Sequence, residues 1–189
     1  MKNMWTRKII LLSAIAVLLA VYICQLALGG KNKVKMLILE EPVDSVTITN
    51  GDVKLSISKD GENWFVEENG KGKLPCQLNR ANGIVNSINE IKVLGSVASG
   101  SDADKERYGL DHGISVEAYA GEKLLRTLSV GKNTATGSQC YATIDGKNAV
   151  NLVQGALRST FEITADEIIE KEKEADDSEE KNTEPDSVE

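Results

Sequence analysis

The sequence has little of what catalysis or metal binding usually requires. It holds one histidine, His112, so a Ser-His-Asp or Cys-His mechanism would depend on that residue as its base. A glycine follows it in a loop, where a surface position is the simpler interpretation. Zinc sites need three or four convergent ligands, and the chain offers no Cys, His or carboxylate spacing of that kind. The sequence therefore predicts no catalytic residues, no metal, no cofactor and no enzyme.

Aromatic residues are scarce as well, at 4% of the chain, so the core must be built from Val, Ile, Leu and Ala. Positive charge is not in surplus either. The formal net charge is -7, and residues 165–189 carry 12 acidic residues against 3 lysines, which leaves about +2 for the rest. The chain therefore lacks the excess of positive charge that binds nucleic acid, and no nucleic acid is expected as a partner. Residues 165–189 are predicted to form an acidic, largely disordered tail.

One long apolar run stands near the N-terminus. Residues 9–28 contain no charge, and a helix of that length spans about 30 Å, the thickness of the bilayer hydrocarbon. Residues 1–8 are short and basic, which favours a cytoplasmic N-terminus. We interpret residues 9–28 as a transmembrane signal-anchor helix, through which the chain contacts the membrane.

Two alternatives to an uncleaved anchor stay open. Small residues in Ala27-Leu28-Gly29 fit cleavage as a signal peptide, and Cys24 could carry a lipid. Each alternative still places the bulk of the chain outside the cytoplasm. We therefore expect a single-pass protein of the bacterial cytoplasmic (inner) membrane, with an extracytoplasmic, periplasmic domain.

Alternating apolar and polar residues predict a β-rich domain over residues 43–164, after a linker at 29–42. Asn50-Gly51 and Asp145-Gly146 suit the tight turns of hairpins. The predicted strands lie at about 36–39, 43–50, 53–58, 64–67, 114–120, 124–130, 139–144 and 149–153.

The period changes to that of an amphipathic helix between Leu78 and Leu94, with residues 93–97 as a returning strand. Ser101 fits the N-cap of a short helix over 102–108, and Gly109 fits its end. The predicted fold class is α+β: antiparallel β meanders with an amphipathic helix packed on the sheet, preceded by one transmembrane helix. Strands with an Asp-Gly turn and a following helix occur twice, so a two-fold internal repeat is a further hypothesis.

An ordered set of short motifs runs through this domain. It starts with Arg107-Tyr108-Gly109-Leu110-Asp111 and continues through 128–132, 134–137, 139–142 and 150–153. Together with an Asp-Gly-x-x-Trp strand at 60–64, the set resembles the bacterial family called domain of unknown function 4340, over about residues 43–161. His112-Gly113 stands where that family usually has a proline, so this turn is expected to differ.

The resemblance implies a membrane-tethered extracytoplasmic domain. Some relatives accompany gliding-motility-type ABC transporter components, which implies a transporter or another envelope protein as partner. It implies no catalytic residues.

A partner or ligand loop is the candidate site. The loop over 131–137 has two glycines, a lysine and two threonines, but its order is not that of a phosphate-binding Walker loop, and it joins two strands. Its structural interpretation is a long hairpin connection, and its functional one is a binding loop at the sheet rim. Trp64 is either a core residue or a stacking surface. The candidate residues are Trp64, Lys132, Asn133, Thr134 and Thr136.

Two function classes follow from these observations. The first is a non-enzymatic accessory domain that binds an envelope protein, with an ABC transporter as one partner. The second is a binding module for an envelope glycan or small ligand, which would have a deep pocket near Trp64 or the 131–137 loop. An exposed apolar sheet face would favour the first class. Cys76 and Cys140 either form a disulfide or stay as two buried thiols.

Overall fold

The computed structural model describes residues 2–29 and 34–170. The first helix, α1, covers Lys2–Gly29. Its window Lys8–Gln25 has a mean hydropathy of 2.2 and none of it is buried against the protein. The helix is therefore long and apolar enough to cross a membrane, a property that a signal sequence near the N-terminus shares.

The rest of the described chain forms an α+β domain around one ten-stranded antiparallel sheet, which confirms the predicted fold class. The strand order is β1-β6-β10-β9-β8-β7-β2-β3-β4-β5. The strands are β1 (Lys35–Ile38), β2 (Ser45–Asn50), β3 (Val53–Asp60), β4 (Asn63–Glu68), β5 (Lys73–Pro75), β6 (Glu90–Ala98), β7 (Ile114–Ala120), β8 (Lys123–Asn133), β9 (Gln139–Ile144) and β10 (Val150–Gln154). The helices are α2 (Leu78–Asn89), α3 (Asp102–Tyr108) and α4 (Leu157–Phe161), followed by a short 3-10 helix at Ala165–Glu167.

Two meanders of four strands meet at the centre of this sheet. The first runs from β2 to β5 and the second from β7 to β10, and β2 pairs with β7 in antiparallel register from Ser45↔Tyr119 to Thr49↔Ser115. Each meander is followed by a helix, α2 or α4. The element order thus repeats about the β2–β7 pair, while a duplication of the sequence stays a hypothesis.

The core lies on one face of the sheet, beneath α2 and α4. Strand β2 alternates strictly, with Val46 and Ile48 buried and their neighbours half-buried. Helix α2 contributes Ala81, Ile84 and Ile88. The opposite face carries Ser, Thr, Tyr and Glu side chains along its central strands, so it is polar. The exposed apolar sheet face that would favour a protein partner is therefore not found on these strands.

The helix predicted over 78–94 ends earlier, at Asn89. Residues 90–98 form β6, in which Ile91 and Val93 are buried and Lys92 is not. Two-residue alternation of β-branched side chains favours a strand here, and the pairing of β6 with both β1 and β10 completes it.

Helix α3 has the ends that the sequence predicts. Ser101 Oγ accepts from the Asp104 N–H at 3.3 Å and Asp104 Oδ2 accepts from the Ser101 N–H at 3.1 Å, which is a capping box. The Ser101 hydroxyl and backbone N–H lower the pKa of the Asp104 carboxyl, with further help from Gly100 and Ser99. Gly109 ends the helix in the left-handed conformation, at φ 67°.

Two segments outside the predicted domain limits belong to the domain. Residues 35–38 of the predicted linker form edge strand β1. Residues 165–170 of the predicted tail pack against β5: Ile168 is 1% exposed, and its carbonyl accepts from the Gln77 N–H at 2.8 Å. Apolar burial of Ile168 outweighs the acidic composition around it. The part of the tail predicted to be disordered lies outside the described residues.

Candidate functional site

The motif around Tyr108 and Gly109 forms a structural corner between α3 and the end of β8. Lys132 Nζ donates to the carbonyls of Glu106 and Arg107, at 3.5 and 3.4 Å. A Cβ on Gly109 would lie 2.7 Å from Lys132 Cγ, so the lysine stem lies directly over this glycine. Lys132 therefore caps the C-terminal carbonyls of α3, where a positive charge is stabilising.

Gly131 closes the same corner. A Cβ at this position would lie 2.3 Å from the Tyr108 carbonyl oxygen, so only glycine permits this backbone approach. The Gly131 carbonyl accepts from Arg158 Nη1 at 3.1 Å, and the Tyr108 and Tyr141 rings pack with centroids 4.5 Å apart. The motif residues thus join α3, β8, β9 and α4.

The rest of the predicted loop is a hairpin connection between β8 and β9 that uses its own hydroxyls. Thr134 Oγ1 donates to the Gln139 carbonyl at 3.2 Å, and the Thr136 hydroxyl lies 3.1 Å from that of Thr134 and 3.0 Å from that of Ser138. Asn133 Oδ1 is buried and has no hydrogen-bond partner among the described residues. The loop is closed by local contacts, and its role in binding stays a prediction.

Trp64 lies in the core and is 5% exposed. Its carbonyl accepts from the Cys76 N–H at 2.8 Å, and the side chain borders a cavity of about 360 Å³ together with Phe65, Pro75 and Leu78. Strands β4 and β8 are four positions apart in the sheet, which corresponds to about 19 Å. The structure therefore does not bring Trp64 together with the 131–137 loop.

A larger concavity than the one at Trp64 lies between α2, α4 and the 3-10 helix at 165–167. This α2–α4 groove has a volume of about 930 Å³ and is open to solvent. Its apolar side chains are Ile84, Ala156, Ile163 and Ile168; Ile84 and Ile168 are buried, Ile163 packs against the core and Ala156 is exposed. The polar side chains around them are Gln77, Asn79, Arg80, Ser87, Ser159, Thr160, Glu162, Asp166 and Glu167.

The charges of the groove favour a cationic ligand. Three carboxylates, Glu162, Asp166 and Glu167, outnumber Arg80. Glu162 forms an ion pair with Arg158, whose Nε lies 3.5 Å from Glu162 Oε2. Glu167 Oε2 accepts a hydrogen bond from the backbone N–H of Thr164. Asp166 and Arg80 form no ion pair within the described residues and are exposed. The groove could not be predicted from local sequence patterns, because its two sides, residues 77–87 and 156–168, are about 70 to 90 positions apart in the chain.

Arg126 is the buried charge that sequence reasoning also missed. It is 5% exposed, and Nη1 donates to the carbonyls of Ile88 at 2.8 Å and of Leu37 and Asn89 at 3.2 Å. Burial lowers the pKa of its guanidinium, and the Asp145 carboxylate 3.8 Å away acts in the opposite direction. The alternation in β8 could have indicated this burial, because Arg126 lies on the same strand face as the apolar Leu128. Arg126 ties β1 and the end of α2 to β8.

His112 is exposed, with Nε2 3.4 Å from Asp111 Oδ2. Within residues 2–29 and 34–170, no group of three or more His, Cys, Asp or Glu side chains could hold a metal ion. Cys76 and Cys140 are both buried and unpaired. Burial raises the pKa of the Cys140 thiol to about 11, although the backbone N–H groups of Leu157 and Arg158 lower it.

These thiols are expected to be unreactive in the folded protein. In a Cys24→Ser variant, N-ethylmaleimide should give no adduct under native conditions in mildly alkaline buffer, since the thiolate is the reactive form. After unfolding in urea without a reductant, mass spectrometry should show adducts on both Cys76 and Cys140. An unfolded chain that takes up no maleimide would instead show that the two cysteines form a disulfide.

Fold and site together define a class: an antiparallel α+β domain that follows an apolar N-terminal helix and presents an open, polar groove. The model of the family described as Domain of unknown function (DUF4340) matches residues 64–180. This match covers more than half of the chain, and the protein belongs to that family. Comparison with curated proteins and with solved structures gives no significant match.

Proposed function

We propose that this protein is a non-enzymatic accessory domain, anchored by α1 on the extracytoplasmic side of the bacterial cytoplasmic membrane, that binds another envelope protein through the α2–α4 groove. The observation that carries the proposal is the groove itself. It is the largest concavity among those described, it is open, and apolar side chains lie among its polar ones. This composition suits a segment of a protein better than a small molecule that must be enclosed.

The charge of the groove indicates which kind of protein segment it should bind. Because Asp166 forms no ion pair within residues 2–29 and 34–170 and the groove has more carboxylates than cations there, a segment that carries lysine or arginine should bind best. The family resemblance suggests a first candidate partner. Some relatives accompany ABC transporter components, so an extracytoplasmic loop of a transporter permease is the first partner to test.

Site-specific photo-crosslinking in cells tests this proposal. A benzoylphenylalanine at Ser159, exposed on the groove wall, should form an adduct with a transporter permease. The same residue at Asp52, exposed in the β2–β3 turn away from the groove, should not. Reversing charge with Asp166→Arg should reduce the adduct severalfold, and Asp52→Arg should leave it unchanged. Equal adducts from Ser159 and Asp52 would contradict a partner site in the groove.

A second candidate function is binding of an envelope glycan. The observation in its favour is the set of amide and hydroxyl side chains that line the groove, including Asn79, Ser87 and Thr160, which can bind sugar hydroxyls. A soluble peptidoglycan fragment should then raise the Tm of the full chain in detergent, and Asn79→Ala should abolish the increase. An adduct with the permease and no change in Tm would favour the protein partner.

A further inference from the structure

The sheet edge at β1 exposes a row of apolar side chains. Val34, Met36 and Ile38 are 57%, 49% and 60% exposed, and their spacing of two residues puts them on one face. Leu37, between them, packs against the core. Edge strands usually carry charge or proline to avoid pairing with other chains; β1 has one charge, Lys35, which lies on the strand face opposite this apolar row.

Covalent connection holds this edge near α1. The helix ends at Gly29 and β1 begins at Lys35, so only residues 30–34 join them. A connector of that length spans at most about 20 Å when fully extended. The opposite edge, β5, lies nine strand positions from β1, or about 43 Å. Of the two sheet edges, β1 is therefore the one tied to the end of the apolar helix.

The charge of the same segment matches a lipid surface. In the sequence, Lys33 and Lys35 flank Val34, and Lys31 lies two residues before Lys33. Lysines bind anionic headgroups, while apolar side chains beside them enter the boundary between headgroups and acyl chains. Water is present at that depth, so the unpaired backbone edge of β1 would stay hydrated, which the hydrocarbon layer would not allow.

We propose that the β1 edge, formed by Val34, Lys35, Met36 and Ile38, is a second membrane contact that lies on the anionic lipid surface beside α1. The sheet then stands on this edge, with β5 away from the membrane. This proposal rests on the proposed function in one respect: α1 must be an uncleaved anchor. Its consequence for that function is a fixed orientation of the domain, which a single helix and a short connector would not provide alone.

Tryptophan quenching by brominated lipids tests the contact in the full chain. In a Trp5→Phe background, single tryptophans are introduced by Ile38→Trp at β1, Leu74→Trp at the opposite edge and Leu19→Trp within α1. The chain is reconstituted in vesicles of phosphatidylcholine and phosphatidylglycerol brominated near the headgroup for positions 38 and 74, and in vesicles brominated deep in the acyl chain for position 19, which lies at the middle of the span. Leu74 is a matched control because it is 50% exposed on edge strand β5. Trp64 is retained in each variant and, at 5% exposed in the wild-type domain, supplies a common background signal.

Quenching should be severalfold stronger at position 38 than at position 74. Replacing phosphatidylglycerol by phosphatidylcholine, or adding Lys35→Glu, should reduce the difference. Equal quenching at 38 and 74, with strong quenching at 19, would overturn the lipid contact and leave the anchor in place. Weak quenching at 19 would overturn the anchor and the contact together. Disulfides between copies in a Met36→Cys variant, without quenching at 38, would assign this edge to a second copy and overturn the proposal.

Discussion

Replacing Arg126 with methionine is expected to lower the free energy of unfolding by about 3 kcal/mol, because it leaves the buried Ile88 carbonyl without this donor and removes two part-buried hydrogen bonds. Three carbonyls share Arg126 Nη1: those of Leu37, Ile88 and Asn89. Two of them belong to the end of α2, and the third belongs to β1. Methionine fills much of the same volume but donates no hydrogen bond. Urea denaturation of the full chain in detergent micelles, followed by the fluorescence of buried Trp64, measures the loss.

The matched control is Arg107→Met. Arg107 is exposed and its guanidinium lies 5.5 Å from the centroid of the Tyr108 ring, so its loss should cost about 0.5 kcal/mol. Arg126→Lys should fall between wild type and methionine, since an ammonium can reach some of the carbonyls but lacks the planar fork. If the two methionine variants have the same stability, the buried guanidinium does not tie these elements together.

Gly131→Ala is expected to destabilise the domain by about 3 kcal/mol, because the added methyl group would overlap main-chain atoms. The new Cβ would lie 2.3 Å from the Tyr108 carbonyl oxygen, and neither atom belongs to a flexible side chain. Strand β8 and the end of α3 must move apart, which also lengthens the bonds from Lys132 to α3. The same denaturation measurement applies, and amide hydrogen exchange should show the largest loss of protection in α3.

Gly83→Ala provides the control. Gly83 lies within α2, and a Cβ added to it would have no neighbouring atom within 4 Å outside the helix backbone. Alanine there should stabilise the protein by up to about 1 kcal/mol, since it lowers the entropic cost of forming the helix. Opposite signs for the two glycine variants would show that the effect at Gly131 comes from the close backbone approach. A neutral Gly131→Ala variant would contradict the structural role of the motif corner.

Elements that depend on neighbouring residues could be predicted from the sequence. Alternation defined β2, β3 and β7, and the Ser101 and Gly109 caps defined α3, because each signal lies within the element itself. The end of α2 could not be predicted in this way. Ile91 continues the helical pattern of α2, and only the pairing of β6 with β1 and β10 places it in a strand.

The candidate site was harder to predict because its parts meet through the fold. Lys132 was identified as a loop residue, but its contacts with the carbonyls of Glu106 and Arg107 appear only when α3 packs beside β8. Trp64 and the 131–137 loop lie on different halves of the sheet. The α2–α4 groove needs residues from both meanders and from 165–168, a segment whose acidic composition suggested a tail.

The two proposals describe one arrangement of the domain. Helix α1 and the β1 edge would hold the sheet at the membrane, and the groove between α2 and α4 would face an envelope partner. Neither surface uses the titratable groups that the sequence singled out, such as His112. The arrangement depends on one condition above all, that the domain lies outside the cytoplasm while α1 remains attached.

Cysteine accessibility in intact cells tests that condition most directly. In a Cys24→Ser background, Lys147→Cys places a thiol in the exposed β9–β10 turn, and Asn3→Cys places one before the apolar span. A membrane-impermeant maleimide should label Lys147→Cys in intact spheroplasts, on a chain that retains its N-terminus, and should label Asn3→Cys only after permeabilisation. Labelling of Asn3→Cys alone in sealed cells would contradict the account.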